Sequence, residues 1–125
     1  MYRKSALAEY SNIDVETKTE SQSPAQLIIM LFDKACVLLR QANENLAHSE
    51  EEAFDKATTH AMQIVIALRG VLDMEKGGEV AQSLYDTYTS IAASLFKAKS
   101  EKDGESIEKL YMALSELREA WQTVS

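Results

Sequence analysis

Apolar side chains recur every three or four positions along most of the chain, the spacing of helices that bury one face. The clearest run is Ile107, Leu110, Leu114, Leu117, Trp121 and Val124, with steps of 3, 4, 3, 4 and 3 residues. It reads as the seam of a helical bundle. Upstream, Ile28, Leu31, Ala35, Leu38, Leu39, Ala42 and Leu46 share one face of a helix. Phe54, Ala57, Ala61, Ile64, Val65, Leu68 and Leu72 share a face of another. Punctuation sets the boundaries. Ser23-Pro24-Ala25-Gln26 is a capping box with Pro at the first helical position, so a helix is expected from Pro24 to about Ala47. Ser49-Glu50-Glu51-Glu52 reads as a second capping box, and its carboxylates favour the positive end of a helix dipole. That second helix should stop near Met74, with Gly77-Gly78 supplying a break and a restart. A third is expected from about Gly78 to Ser100, and Asp103 should cap a fourth. Short links between helices of this length favour antiparallel neighbours. The expected fold is all-α: an antiparallel up-down four-helix bundle over residues 23–125, with residues 1–22 as an N-terminal cap segment. Tyr2, Leu7, Tyr10, Ile13 and Val15 give that segment more apolar character than an inert tail needs.

The same helical wheels leave apolar residues that a bundle has no reason to bury. Ile66 points nearly opposite its core stripe and Met62 lies off it, as do Ile29, Met30, Val37 and Met112 on their helices. One exposed apolar side chain is ordinary, whereas several on two helices, with Met among them, fit an adaptable binding surface. Crevices filled by the N-terminal segment and a homodimer remain alternatives on pattern alone. Tyr85, Tyr88 and Phe96 read first as core or core-edge aromatics.

Composition removes several kinds of function. Twenty acidic against 13 basic residues give a net charge of −7, which opposes binding to nucleic acid or an anionic membrane. The longest apolar run, Leu27 to Phe32, is far shorter than a membrane span, and MYRKSALAEY lacks the apolar core of a signal peptide. With one cysteine, Cys36, the chain suits a reducing cytosol. No Glu-x-x-His pairs, phosphate loop or nucleophile–base arrangement is present, so neither metal, cofactor nor catalysis is expected. One chemical alternative is a histidine phosphotransfer domain using His60, which the wheel places off the core stripe. Its neighbours Thr59-His60-Ala61-Met62 lack the Lys and Gly that normally follow the phosphorylated His.

Leu72-Asp73-Met74-Glu75-Lys76-Gly77-Gly78-Glu79-Val80-Ala81, followed by Leu84-Tyr85-Asp86-Thr87-Tyr88, resembles the junction of the second and third helices in the flagellin-export chaperone (FliS) family. Ser23-Pro24-Ala25-Gln26-Leu27, Met30-Leu31-Phe32-Asp33, Tyr10 and Leu117-Arg118-Glu119-Ala120-Trp121 extend the similarity over nearly the whole chain. Phe32 stands where the family often has Tyr, and Lys34 where it often has Gly. The resemblance implies a cytoplasmic chaperone that binds the disordered C-terminal segment of flagellin, prevents premature polymerisation and aids delivery to the export apparatus. It leaves the export gate and flagellar regulators open as further partners. Its implied site comprises Met30, Val37, Met62, Ile66, Leu84, Tyr85 and Tyr88, with Tyr10 and Ile13 in a cap that covers a groove when flagellin is absent.

Overall fold

The computed structural model describes residues 23–124, and four helices organise them: α1 (Pro24–Ala47), α2 (Glu51–Gly70), α3 (Met74–Glu101) and α4 (Gly104–Val124). The proposed cap, with Tyr10 and Ile13, lies outside the described residues.

The capping box of α1 forms as its sequence dictates. Ser23 Oγ accepts from the Gln26 amide at 3.2 Å, and Gln26 Oε1 accepts from the Ser23 amide at 3.0 Å. The second expected box does not form. Amides of the α1–α2 link turn back to α1 instead, Ser49 N to Leu46 O at 3.1 Å and Glu50 N to Asn45 O at 2.8 Å. Closing α1 in this way puts Ser49 in the left-handed region at φ 59°, and Glu50 becomes a cap residue with no side-chain bond.

The α2–α3 boundary also differs from expectation. Helix α2 stops at Gly70, and α3 begins at Met74 because the Asp73 carboxylate accepts from the Lys76 amide at 3.0 Å. Buried Val71 and Leu72 fill the link. The glycine pair therefore shapes a bend inside α3. Gly78 has φ 51° and ψ −127°, outside helical geometry, and a Cβ on Gly77 would lie 2.5 Å from that of Ala81. At the far end Asp103 caps α4 as expected, accepting from the Ser106 amide at 3.1 Å and its hydroxyl at 2.7 Å.

The core runs down the axis through Phe32, Leu39, Phe54, Ile64, Leu95 and Leu114. Helix α1 packs broadly against α2 and α4, and α2 against α3. Polar contacts fasten α4 to α1: Arg118 Nε donates to Asp33 Oδ1 at 2.6 Å, and Arg40 donates to the Tyr111 hydroxyl at 3.2 Å while lying over its ring. The α3–α4 contact is much the sparsest of the four. Accordingly Leu110, Leu117 and Trp121 are only partly buried, and Val124, expected at the end of the seam, is exposed. Among the described residues, no helix is long and apolar enough to cross a membrane, and no cluster of His, Cys, Asp or Glu is placed to hold a metal ion.

Candidate functional site

The open α3–α4 side holds three hollows in a row. The first, about 360 Å³, is almost wholly apolar and is lined by Leu72, Val80, Ala81, Leu84 and Trp121 beside the Gly77 bend. The second, about 500 Å³, lies between Thr87, Ser90 and Ile91 of α3 and Ala113, Glu116 and Leu117 of α4. The third, about 320 Å³, is more polar, with Ser94, Lys97, Glu101, Ser106 and Lys109 at its rim. From Gly77 to Glu101 this cleft follows α3 for about 36 Å at 1.5 Å per residue. Small side chains at Ser90, Ser94, Ala98, Ser106 and Ala113 hold it open, since none reaches across to the opposite helix. An apolar hollow of side-chain size beside a polar channel is suited to a peptide segment rather than to bond-making chemistry.

Beneath the apolar end lies Tyr88. Its ring meets Phe32 edge-on at 6.1 Å, and its hydroxyl accepts from Trp121 Nε1 at 3.0 Å. At 1% exposure it is a core residue, which corrects its expected place among partner-contacting side chains. The side chain curls inward because α3 presents Tyr88 on the same stripe as Ala81, Ile91 and Leu95. Its influence on the surface passes through Trp121. Burial pushes the phenol up to about 12.

A second surface lies between α2 and α3. Lys99 Nζ donates to Thr59 Oγ1 at 2.9 Å and Arg69 Nη1 donates to Thr89 Oγ1 at 3.0 Å, with the guanidinium 5.0 Å from the Tyr85 ring. Thr59, Met62, Ile66 and Arg69 fall within an arc of about 80° on α2 at 100° per residue, so all four face α3. The same stepping puts Phe96 on the α3 side toward α2, level with Met62. Ile66 is 42% exposed and Phe96 58%, with Met62 partly buried between the helices.

The expected contact residues therefore divide. Met62, Ile66 and Tyr85 share the α2–α3 groove, Leu84 lines the α3–α4 cleft, and Val37 stands on the outer back of α1 at 48% exposure. Met30 packs against the core edge. Trp121 and Val80 belong to the cleft but read from sequence as seam and helix start, and Phe96 read as core edge. The signal that would have found the cleft residues Trp121 and Val80 is the row of small residues on facing stripes of α3 and α4.

The remaining chemistry is quiet. His60 is exposed on α2, as the wheel indicates, beside Asp55, Lys56, Thr59 and Gln63 around a shallow hollow. Cys36 is half-buried, and burial followed by the Asp33 charge raises its thiol pKa, which disfavours the nucleophilic thiolate.

The family model "Flagellar protein FliS" matches residues 6–125. A flagellar secretion chaperone FliS from Salmonella typhimurium is 36% identical over all of this chain and 93% of its own length. One from Campylobacter jejuni is 35% identical over 82% of this chain and 80% of its own, and one from Escherichia coli 27% identical over 98% and 90%. With a four-helix bundle whose apolar grooves lie where the junction motif and its partner helices meet, the chain belongs to the FliS family of flagellar proteins.

Proposed function

We propose that this protein is a cytoplasmic flagellar secretion chaperone that holds the C-terminal segment of flagellin. The observation that carries the reading is the apolar surface the bundle leaves uncovered, the Val80–Leu84–Trp121 hollow on one side of α3 and the Met62–Ile66–Phe96 strip on the other. Two grooves flanking one helix are suited to a segment that wraps the bundle and gains helix as it does so. Each fully buried apolar side chain contributes about 1.5–3 kcal/mol, against an ordering cost of about 2–5 kcal/mol for the segment, so a few anchors suffice and release stays accessible. A flagellin so held is blocked from pairing with other subunits and remains competent for delivery to the export apparatus. The protein binds and does not catalyse. Met30 and Val37 on α1 extend the proposed contact surface, and Tyr85 borders the α2–α3 groove.

Residues 1–22 are proposed to cover a groove in the free protein, with Tyr10 and Ile13 as the apolar contacts. Removing residues 1–15 is expected to speed or strengthen binding of a flagellin C-terminal peptide, and unchanged association kinetics would count against the cap. The site is tested by Val80→Asp and Ile66→Asp, each at an exposed position, in co-expression with flagellin followed by a pull-down. Loss of the co-purifying flagellin with the helical content retained is the expected result. Wild-type recovery of flagellin with both variants would remove these grooves from the site.

A further inference from the structure

The α2–α3 groove has charge chemistry that its apolar strip does not explain. Arg69 and Lys99 stand at its two ends, and both hydrogen-bond only to threonine hydroxyls across the helix pair. Neither has a carboxylate partner among the described residues, although the chain carries 20 acidic side chains. Four other described cations are paired, Arg118 with Asp33, Lys102 with Glu51 and Asp55, Lys56 with Glu52 and Lys109 with Glu105, whereas Lys34, Arg40, Lys76 and Lys97 are not. What sets Arg69 and Lys99 apart is their place at the two ends of an apolar strip, each held across the helix pair by a threonine. Between the two unpaired cations lie Met62, Ile66 and Phe96.

We infer that the stretch of partner covering this groove is an acidic amphipathic helix, its apolar face on Ile66 and Phe96 and a carboxylate at each end received by Arg69 and Lys99. This rests on the chaperone reading and names the chemistry of the partner at one of its grooves. The geometry sets the spacing. Thr59 and Arg69 are ten residues apart on α2, as are Thr89 and Lys99 on α3, so the cations are separated by about 15 Å along the groove at 1.5 Å per residue. Carboxylates three turns apart on one face of a helix span that distance, with room for two apolar anchors between them. The threonine bonds hold both cations beside the groove mouth, which lowers the entropy lost when a carboxylate arrives. On a protein of net charge −7, an acidic segment is otherwise repelled. The two cations therefore select the place and register of docking more than they add affinity.

Calorimetric titration of the full chain with a peptide of the flagellin C-terminal segment, at low and moderate salt, tests this. The double variant Arg69→Gln, Lys99→Gln is expected to bind about fivefold more weakly at low salt, two partly exposed pairs at under 1 kcal/mol each. Its affinity should also lose most of its dependence on salt. A peptide with its Asp and Glu changed to Asn and Gln should lose the same factor against the wild-type protein and nothing further against the double variant. Wild-type affinity and salt dependence in the double variant, with Ile66→Asp still weakened, overturn the acidic-helix inference and leave the chaperone reading standing. Absence of binding by the wild-type chain overturns that reading itself.

Discussion

A phenol with its ring in the core and its hydroxyl at the rim couples two environments, and Tyr88 is placed in this way. Phe32 and the stripe around Leu95 hold the ring, while Trp121 Nε1 donates to the oxygen from the wall of the apolar hollow. Tyr88→Phe keeps the packing and removes the bond, so a stability loss of about 1 kcal/mol is expected in urea unfolding. The emission of Trp121, the single tryptophan, should change with it. The raised Tyr88 pKa also sets an alkaline limit. The folded state favours the neutral phenol, so its contribution is complete below the ordinary tyrosine value of about 10 and is lost as pH rises toward about 12. Unfolding followed by far-ultraviolet circular dichroism should begin in that window for the wild type and later for Tyr88→Phe. At the bend, Gly77→Ala should cost about 1–3 kcal/mol because its Cβ would collide with Ala81, and Gly78→Ala about 1–3 kcal/mol because φ 51° with ψ −127° is a backbone conformation that side chains rarely adopt. Equal stability of both variants and the wild type in urea would show that the bend relaxes. From sequence, Ile66, Val37 and Met112 were legible as exposed, since an angle on a wheel is a local property. Tyr88 had two readings, core aromatic from its pattern and contact residue from the family resemblance, because the choice between burying an aromatic and displaying it depends on how closely α4 approaches.

At the scale of elements, helix ends were legible where one side chain decides them and illegible where two devices compete. Ser23 and Asp103 are lone candidates beside free amides, and both cap. Ser49 loses its role because α1's last carbonyls take the link amides first, and the Gly77-Gly78 pair loses its role as a stop because Asp73 has already begun α3. The two carboxylate caps, Asp73 and Asp103, predict an acid limit. The Lys76 amide at Asp73, and the Ser106 hydroxyl followed by its amide at Asp103, hold these carboxyls below the ordinary range. Their contribution is present above the ordinary carboxylate value of about 4 and is lost as pH falls through the lowered folded values. Asp103→Asn should therefore flatten the fall in thermal stability below about pH 4 relative to wild type, and an unchanged acid profile would remove the cap from that role. Most polar contacts of α4 go to α1, through Asp33–Arg118, Arg40–Tyr111 and Asn43–Gly104, while Trp121–Tyr88 ties it to α3. Arg118→Ala should raise amide exchange in the C-terminal half of α4 while leaving α2 protected. Uniform exchange across all four helices would show instead that α4 is held by its core residues alone.

For the whole molecule, periodicity and capping were enough to specify four antiparallel helices, because each helix reports its own buried face. What they did not specify is that one of the four interfaces stays open, since that depends on residues of two helices at once: Ser90 and Ser94 opposite Ser106 and Ala113. The openness gives the bundle its function in the proposed reading, as it leaves α3 flanked by grooves on both sides for a segment that folds on docking. Titration of the full chain with the flagellin C-terminal segment, followed by both calorimetry and circular dichroism, tests this most directly. Saturable binding with a negative heat-capacity change and a gain in helix beyond the sum of the separate components is the predicted result. Absence of binding, or binding with no gain in helix, would contradict it.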